Sequence, residues 1–119
     1  MTEEHKKAWG KEVWMANTEK YCGKLLYVEK ARISSIHYHK NKDETFYVLK
    51  GKIFMEVDSV KSVMKEGDSL RIKPGIKHRF GGLGEENIMI EISTHHEEDD
   101  SYRDTQSGDI PKEILEEYE

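Results

Sequence analysis

The chain has 119 residues, 36% of them charged and 35% hydrophobic, with a formal net charge of −5 from 19 basic and 24 acidic side chains. This size and composition fit one domain with a lean core. The acidic balance argues against nucleic acid as a partner, and no apolar run approaches the ~20 residues that span a bilayer. The opening MTEEHKKAWG lacks the apolar segment of a signal peptide, and Cys22 stands alone, so a cytoplasmic location is expected.

Short runs rich in β-branched and aromatic residues follow one another at 20–29, 31–39, 44–50, 52–58, 59–64, 69–73 and 87–94. Gly51, Gly67, Pro74-Gly75 and Gly81-Gly82 punctuate them. Period-two alternation puts Ile88, Ile90 and Ile92 on one face and Met89, Glu91 and Ser93 on the other. Closely spaced strands without intervening helices predict an all-β antiparallel barrel or sandwich over about 11–94. Within a single domain, 95–119 then forms a tail. Its residues 95–100, His-His-Glu-Glu-Asp-Asp, read as a solvated face, with His95 and His96 as a surface pair. Residues 109–119 read as a short C-terminal helix, with Pro111 near its first turn and an apolar stripe of Ile110, Ile114, Leu115 and Tyr118.

Three histidines and a glutamate carry the strongest chemical signal. His37 and His39 are two apart in a strand-like run, so their side chains leave the same face. A polar turn, Lys40-Asn41-Lys42-Asp43, leads to Glu44, and His78 follows Pro74-Gly75. An isolated His-x-His is more often surface decoration. Here the wider spacing gathers imidazole and carboxylate, a donor set suited to one divalent transition metal ion such as Mn, Fe, Zn, Ni or Co. Phe46 and Val48 share the strand parity of Glu44 and would form an apolar wall, whereas Tyr47 faces away.

The run His37-x-His39-x(4)-Glu44-x(6)-Gly51, followed by Pro74-Gly75-x(2)-His78, resembles the two motifs of the cupin superfamily over about residues 31–94. The resemblance implies a cupin jelly-roll β-barrel with His37, His39, Glu44 and His78 as metal ligands. Ala31 stands where the family has glycine, Lys73 where it has proline, and Gly82 where it often has asparagine. Read as His-x-His-x-x-Lys-x-Glu, residues 37–44 resemble the metal site of cupin-type D-lyxose isomerases, which use that lysine. Residues 90–94 and 98–103 are similar to the closing segment of those isomerases, and to the cupin module ending bacterial mannose-6-phosphate isomerase/guanylyltransferases. This implies an aldose–ketose isomerase or epimerase acting on a small sugar or sugar phosphate, with Glu91 as carboxylate base, Lys42 as the ammonium facing it, and Tyr102 and Arg103 closing over the mouth.

Other readings stay open at this point. Glu91 either lines a pocket or points into water while the isoleucines are buried, and Lys42 is otherwise a solvated turn charge. Arg71 and Arg79 read as rim salt bridges in preference to a phosphate clamp, and Trp9 and Trp14 as core or interface anchors. The same ligand set suits an Fe(II) dioxygenase or a non-catalytic sugar-binding or regulatory module. Antiparallel edges and exposed apolar residues make a homodimer the expected assembly.

Overall fold

The computed structural model describes residues 2–119. In chain order the strands are β1 (Glu3–Lys7), β2 (Gly10–Asn17), β3 (Cys22–Val28), β4 (Arg32–Ile33), β5 (His37–Tyr38), β6 (Glu44–Lys50), β7 (Lys52–Val57), β8 (Val60–Lys65), β9 (Ser69–Ile72), β10 (His78–Gly82), β11 (Ile88–Ser93), β12 (Tyr102–Arg103) and β13 (Gly108–Asp109). One helix, α1 (Lys112–Tyr118), closes the chain. The first sheet runs β1-β2-β3-β11-β6-β9; the second runs β12-β5-β10-β4-β13, with β7 and β8 added beside β10. The named strands pair antiparallel, and the whole is the expected jelly-roll barrel.

The sheets enclose a core of Trp9, Leu26, Val28, Phe46, Val48, Ile53, Met55, Met64, Ile72, Phe80 and Met89. A smaller cluster of Ile33, Phe54, Leu83, Ile110 and Ile114 lies under the helix. Phe54 belongs to it because its side chain leaves β7 on the face opposite Ile53 and Met55. The helix starts later than its apolar stripe suggests, with Pro111 as its N-cap. The stripe itself packs as expected: Ile110 and Ile114 are buried, and Leu115 and Tyr118 lie against the same cluster.

Other features also depart from the sequence reading, among them β12 and β13, by which the tail joins the second sheet. The hairpin of β1 and β2 extends the first sheet upstream of Lys11. Residues 31–39 are not one strand. Between β4 and β5 the amides of Ser35 and Ile36 bond to the hydroxyls of Ser107 and Thr105, at 3.0 and 2.8 Å, in place of a neighbouring backbone. Finally, the acidic run is not wholly solvated, because Asp100 is buried.

On β11, Met89, Glu91 and Ser93 are buried while Ile92 is 60% exposed. Of the two readings left open for this strand, the inward-facing Glu91 is the one adopted.

Ala31 takes a left-handed backbone conformation (φ 65°), held by its amide on the Gly82 carbonyl and its carbonyl on the Ile110 amide, at 2.9 and 2.8 Å. An L side chain there costs roughly 1–2 kcal/mol relative to the right-handed region. Ala31→Gly is therefore expected to stabilise the protein by about 0.5–1 kcal/mol after the added flexibility of the unfolded chain is set against it. A rise of a few degrees in the thermal midpoint would show this; an unchanged or lower midpoint contradicts it.

Candidate metal centre and its cavity

His37 and His39 leave the chain at the end of β5, Glu44 opens β6 and His78 opens β10. His37 and His78 stand directly opposite each other in the register of β5 and β10. The Gly75 amide bonds to the His39 carbonyl at 2.6 Å, tying the Pro74-Gly75 turn to the His37–His39 run. One ring nitrogen of each histidine lies within 4.8 Å of the others.

Hydrogen bonding fixes which nitrogen faces inward. The Nδ1 atoms of His37, His39 and His78 sit 2.7, 2.8 and 2.9 Å from the carbonyl oxygens of Ser35, Asp100 and Ile76. A carbonyl only accepts, so each Nδ1 carries a proton, and in the neutral ring it is Nε2 that offers a lone pair inward. The Nε2 atoms of His39 and His78 lie 3.3 and 3.2 Å from Glu44 Oε2. Among the described residues, neither His78 Nε2 nor Glu44 Oε2 has a hydrogen-bond partner, and both are buried.

Lone pairs thus face lone pairs at contact distance in a desolvated site. Protonating the rings would relieve this, but burial, reinforced by His78, pushes the His37 imidazole well below its ordinary range. Burial and the Lys42 charge lower His39 as well. A cation accepting all four donors fits the arrangement, and His₃Glu is chemically suited to a divalent transition ion. His37, His39 and His78, with Glu44 beside them, are the residues that could hold one.

Beside this group lies a cavity of roughly 100 Å³. Lys42 and Glu91, both buried, stand together in its wall with Lys42 Nζ 3.2 Å from Glu91 Oε2. Lys42 also lies 3.7 Å from Glu44 Oε1 and donates to His96 Nδ1 at 3.2 Å. Ser93 Oγ donates to the same Glu91 oxygen at 3.1 Å. Burial alone would raise the Glu91 carboxyl, but Lys42 and Lys24 outweigh it and hold it down at about 2. Burial pulls the Lys42 ammonium down, yet Glu91 and Glu44 leave it above its usual value. Both groups are therefore charged at neutral pH.

Lys24 was not singled out from the sequence, and His96 was read as a surface residue; both stand at the cavity. Lys24 is 1% exposed and pairs with Glu12 at 3.4 Å, beneath the ring of Trp14 at 4.5 Å. Strand register could have found Lys24, because it faces Glu91 across β3 and β11. His96 lines the cavity instead of forming a surface pair with His95. Asn17 pins it there by bonding its amide and carbonyl at 2.9 and 3.1 Å. Burial and the charges of Lys24 and Lys42 push its imidazole down to about 4.

Asp100 is the sharpest correction to the solvated-face reading. Its carboxylate accepts the amides of Lys40, Asn41 and Lys42 at 2.8, 3.0 and 3.2 Å, and its carbonyl orients His39. No signal in a run of four acidic residues marks which one turns inward.

The rim arginines are ion-paired, Arg71 with Asp43 and Arg79 with Glu56. Arg103 and Ser101 line the cavity. Tyr102 stacks on Tyr38 at the pairing of β12 with β5. Trp9 lies in the core.

Neutral His37, His39 and His96 imply a defined pH response of the metal-free protein. Their folded-state values are depressed, so the unfolded chain binds more protons as pH drops below about 6.5 and stability is lost there. The expected slope between pH 6.5 and 5 is up to about 1.4 kcal/mol per pH unit for each histidine. Urea midpoints across that window check it; flat stability contradicts the assignment.

Comparison with known proteins places the architecture. Residues 24–94 match the family model described as Cupin domain. A Sinorhizobium fredii protein named mannose-1-phosphate guanylyltransferase is 27% identical over 84 residues, covering 71% of this chain but 16% of that protein. This chain spans less than two thirds of the length of the curated relatives it matches. Among solved structures, an RmlC-like cupin from Shewanella frigidimarina superposes with a TM-score of 0.74 at 22% identity, covering 83% of this chain and 88% of that one. A putative sugar phosphate isomerase from Acidithiobacillus ferrooxidans gives 0.60 at 20% identity, over 65% and 51%. The chain belongs to the cupin domain family.

Proposed function

We propose that this cupin is a metal-dependent aldose–ketose isomerase or epimerase acting on a small sugar or sugar phosphate. His37, His39, Glu44 and His78 hold one divalent ion, and Lys42 and Glu91 handle the proton. The observation that carries the reading is a buried, oppositely charged Lys42–Glu91 pair beside four converging metal-type donors, two of them without a hydrogen-bond partner among the described residues.

A divalent ion bound there supplies Lewis acidity toward the oxygens of a carbonyl–hydroxyl pair. The remaining chemistry falls to the chain. Glu91, deprotonated throughout the neutral range, takes the proton from the carbon next to the carbonyl and returns it to the neighbouring carbon. The hydroxyl proton passes to the former carbonyl oxygen, so that one C–H and one O–H bond are broken and one of each is formed. A carboxylate held at about 2 is a weak base. As negative charge grows on the substrate oxygens, the Lys42 ammonium is drawn toward them, its hold on Glu91 weakens, and Glu91 becomes more basic as the proton arrives. Ser93 keeps the carboxylate in place through its hydroxyl. Burial excludes water that would otherwise compete for the proton.

An Fe(II) dioxygenase or a sugar-binding module would use the same metal ligands, but neither calls for a buried proton carrier beside them. The similarity to a mannose-1-phosphate guanylyltransferase and to the structure of a putative sugar phosphate isomerase supports sugars as the substrate class. Anaerobic NMR in D₂O of the metal-loaded protein, with pentoses, hexoses and their 6-phosphates, tests the reading. Metal-dependent deuterium incorporation next to the carbonyl is expected, falling at least about 100-fold in Glu91→Gln. No exchange with any sugar contradicts it.

The proposed assembly is a dimer of two copies joined through the outer face of the first sheet. Ile92, Tyr47, Leu49, Met15 and Tyr21 are 60, 38, 49, 42 and 58% exposed, and the three on β6 and β11 leave the face opposite buried Phe46, Val48 and Glu91. Exposed apolar side chains grouped on one sheet face are the kind of surface that marks a protein interface. Light scattering is expected to give a dimer for the native chain and a monomer for Ile92→Glu/Tyr47→Glu; a native monomer contradicts it. No helix among the described residues is long and apolar enough to cross a membrane.

A further inference from the structure

We propose that Glu12 and Lys24 form a hydroxyl-binding pair in the cavity, so that the ligand presents a neutral polyol segment, not a phosphate or carboxylate, to this part of the wall. The inference deepens the sugar-isomerase reading and rests on it for the substrate class.

Lys24 lies on β3, with β11 and then β6 beside it, which puts its backbone two strands and roughly 10 Å from that of Glu44. Its side chain is 1% exposed, and its ammonium has three hydrogens to place. Among the described residues one acceptor lies within reach, Glu12 Oε1 at 3.4 Å, and the Trp14 face covers a second side. At least one N–H is left without a protein acceptor, on a residue that lines the cavity. Such a group is costly to bury unless something in the cavity accepts from it. Lys42 differs, since Glu91 and His96 each accept from it at 3.2 Å and the Glu44 carboxylate lies 3.7 Å away. Lys24, with one acceptor, is thus the buried lysine with more donor capacity left over.

Glu12 supplies the complement. Its Oε1 accepts from Trp14 Nε1 at 2.8 Å and from Lys24, whereas Oε2 accepts no hydrogen bond from the described residues, and Glu12 also lines the cavity. A hydroxyl can accept from Lys24 and donate to Glu12 at once. An anionic group drawn to Lys24 would meet the Glu12 carboxylate beside it, and the pair has no net charge with which to hold an anion. The lining cations without an ion-pair partner among the described residues, Lys7 and Arg103, sit at the less buried rim.

The test is isothermal titration of the metal-loaded full chain with non-reacting alditols (xylitol, ribitol, mannitol, glucitol) and, in parallel, with sugar 6-phosphates. Lys24→Gln/Glu12→Gln removes both charges and leaves no lone buried ion, and the single Glu12→Gln guards against misfolding of the double variant. Alditol binding is expected to weaken about ten-fold or more in the double variant and less in the single one, with bound metal unchanged. Equal affinity in both variants overturns the proposal, as does a wild type that binds no alditol. Phosphate esters that bind more tightly than alditols and ignore both substitutions overturn it too. If alditol binding depends on Lys24 but no sugar exchanges deuterium, the isomerase reading fails and this one stands. If exchange occurs with an unchanged KM in the double variant, the reverse holds.

Discussion

The site is organised around one unfavourable contact. Glu44 Oε2 faces the Nε2 atoms of His39 and His78 at 3.3 and 3.2 Å, while the Nδ1 protons of both rings point to backbone carbonyls on the far side. Placing acceptors together in a buried site costs free energy unless a cation lies among them. The surrounding structure holds this arrangement in place. The register of β5 against β10 fixes His37 opposite His78, and the Pro74-Gly75 turn grips the His39 carbonyl.

Asp100 links the tail to that centre twice. Its carboxylate gathers three consecutive amides of the turn between His39 and Glu44, and its carbonyl sets the tautomer of His39. Around the centre, charges alternate along the cavity wall: Glu44, Lys42, Glu91, Lys24, Glu12. Each ion is offset by its neighbours, which is how so many charged groups are kept from water in a domain with a lean core. Lys42 is the hinge of this line, bonding at once to Glu91 and His96 and lying beside Glu44.

Much of this was legible in the sequence because it is periodic or local. Phe46 and Val48 share parity with Glu44 and are buried with it, Tyr47 faces out, and the stripe from Ile110 to Tyr118 packs as a helix face should. The spacing of His37, His39, Glu44 and His78 marked residues that do converge. What escaped was non-local. Whether Glu91 or its isoleucine neighbours point inward depends on which face of β11 meets the second sheet, and alternation alone is symmetric. Lys24 and Glu12 carry no local mark of burial; it follows only from the pairing of β3 with β2 and β11. Asp100 and His96 sit in a charged run whose composition predicts solvent, and they turn inward because three amides and Asn17 await them. The Ser34–Ile36 break depends on hydroxyls some seventy residues downstream.

The most direct test of the metal centre is a zinc titration of metal-stripped protein against a competing chelator, comparing the native chain with His78→Gln. The geometry predicts one ion per chain at submicromolar affinity, weakened at least about 100-fold by loss of one of four ligands. A native chain that binds no zinc in this range, or a His78→Gln variant that binds as tightly, would contradict the account.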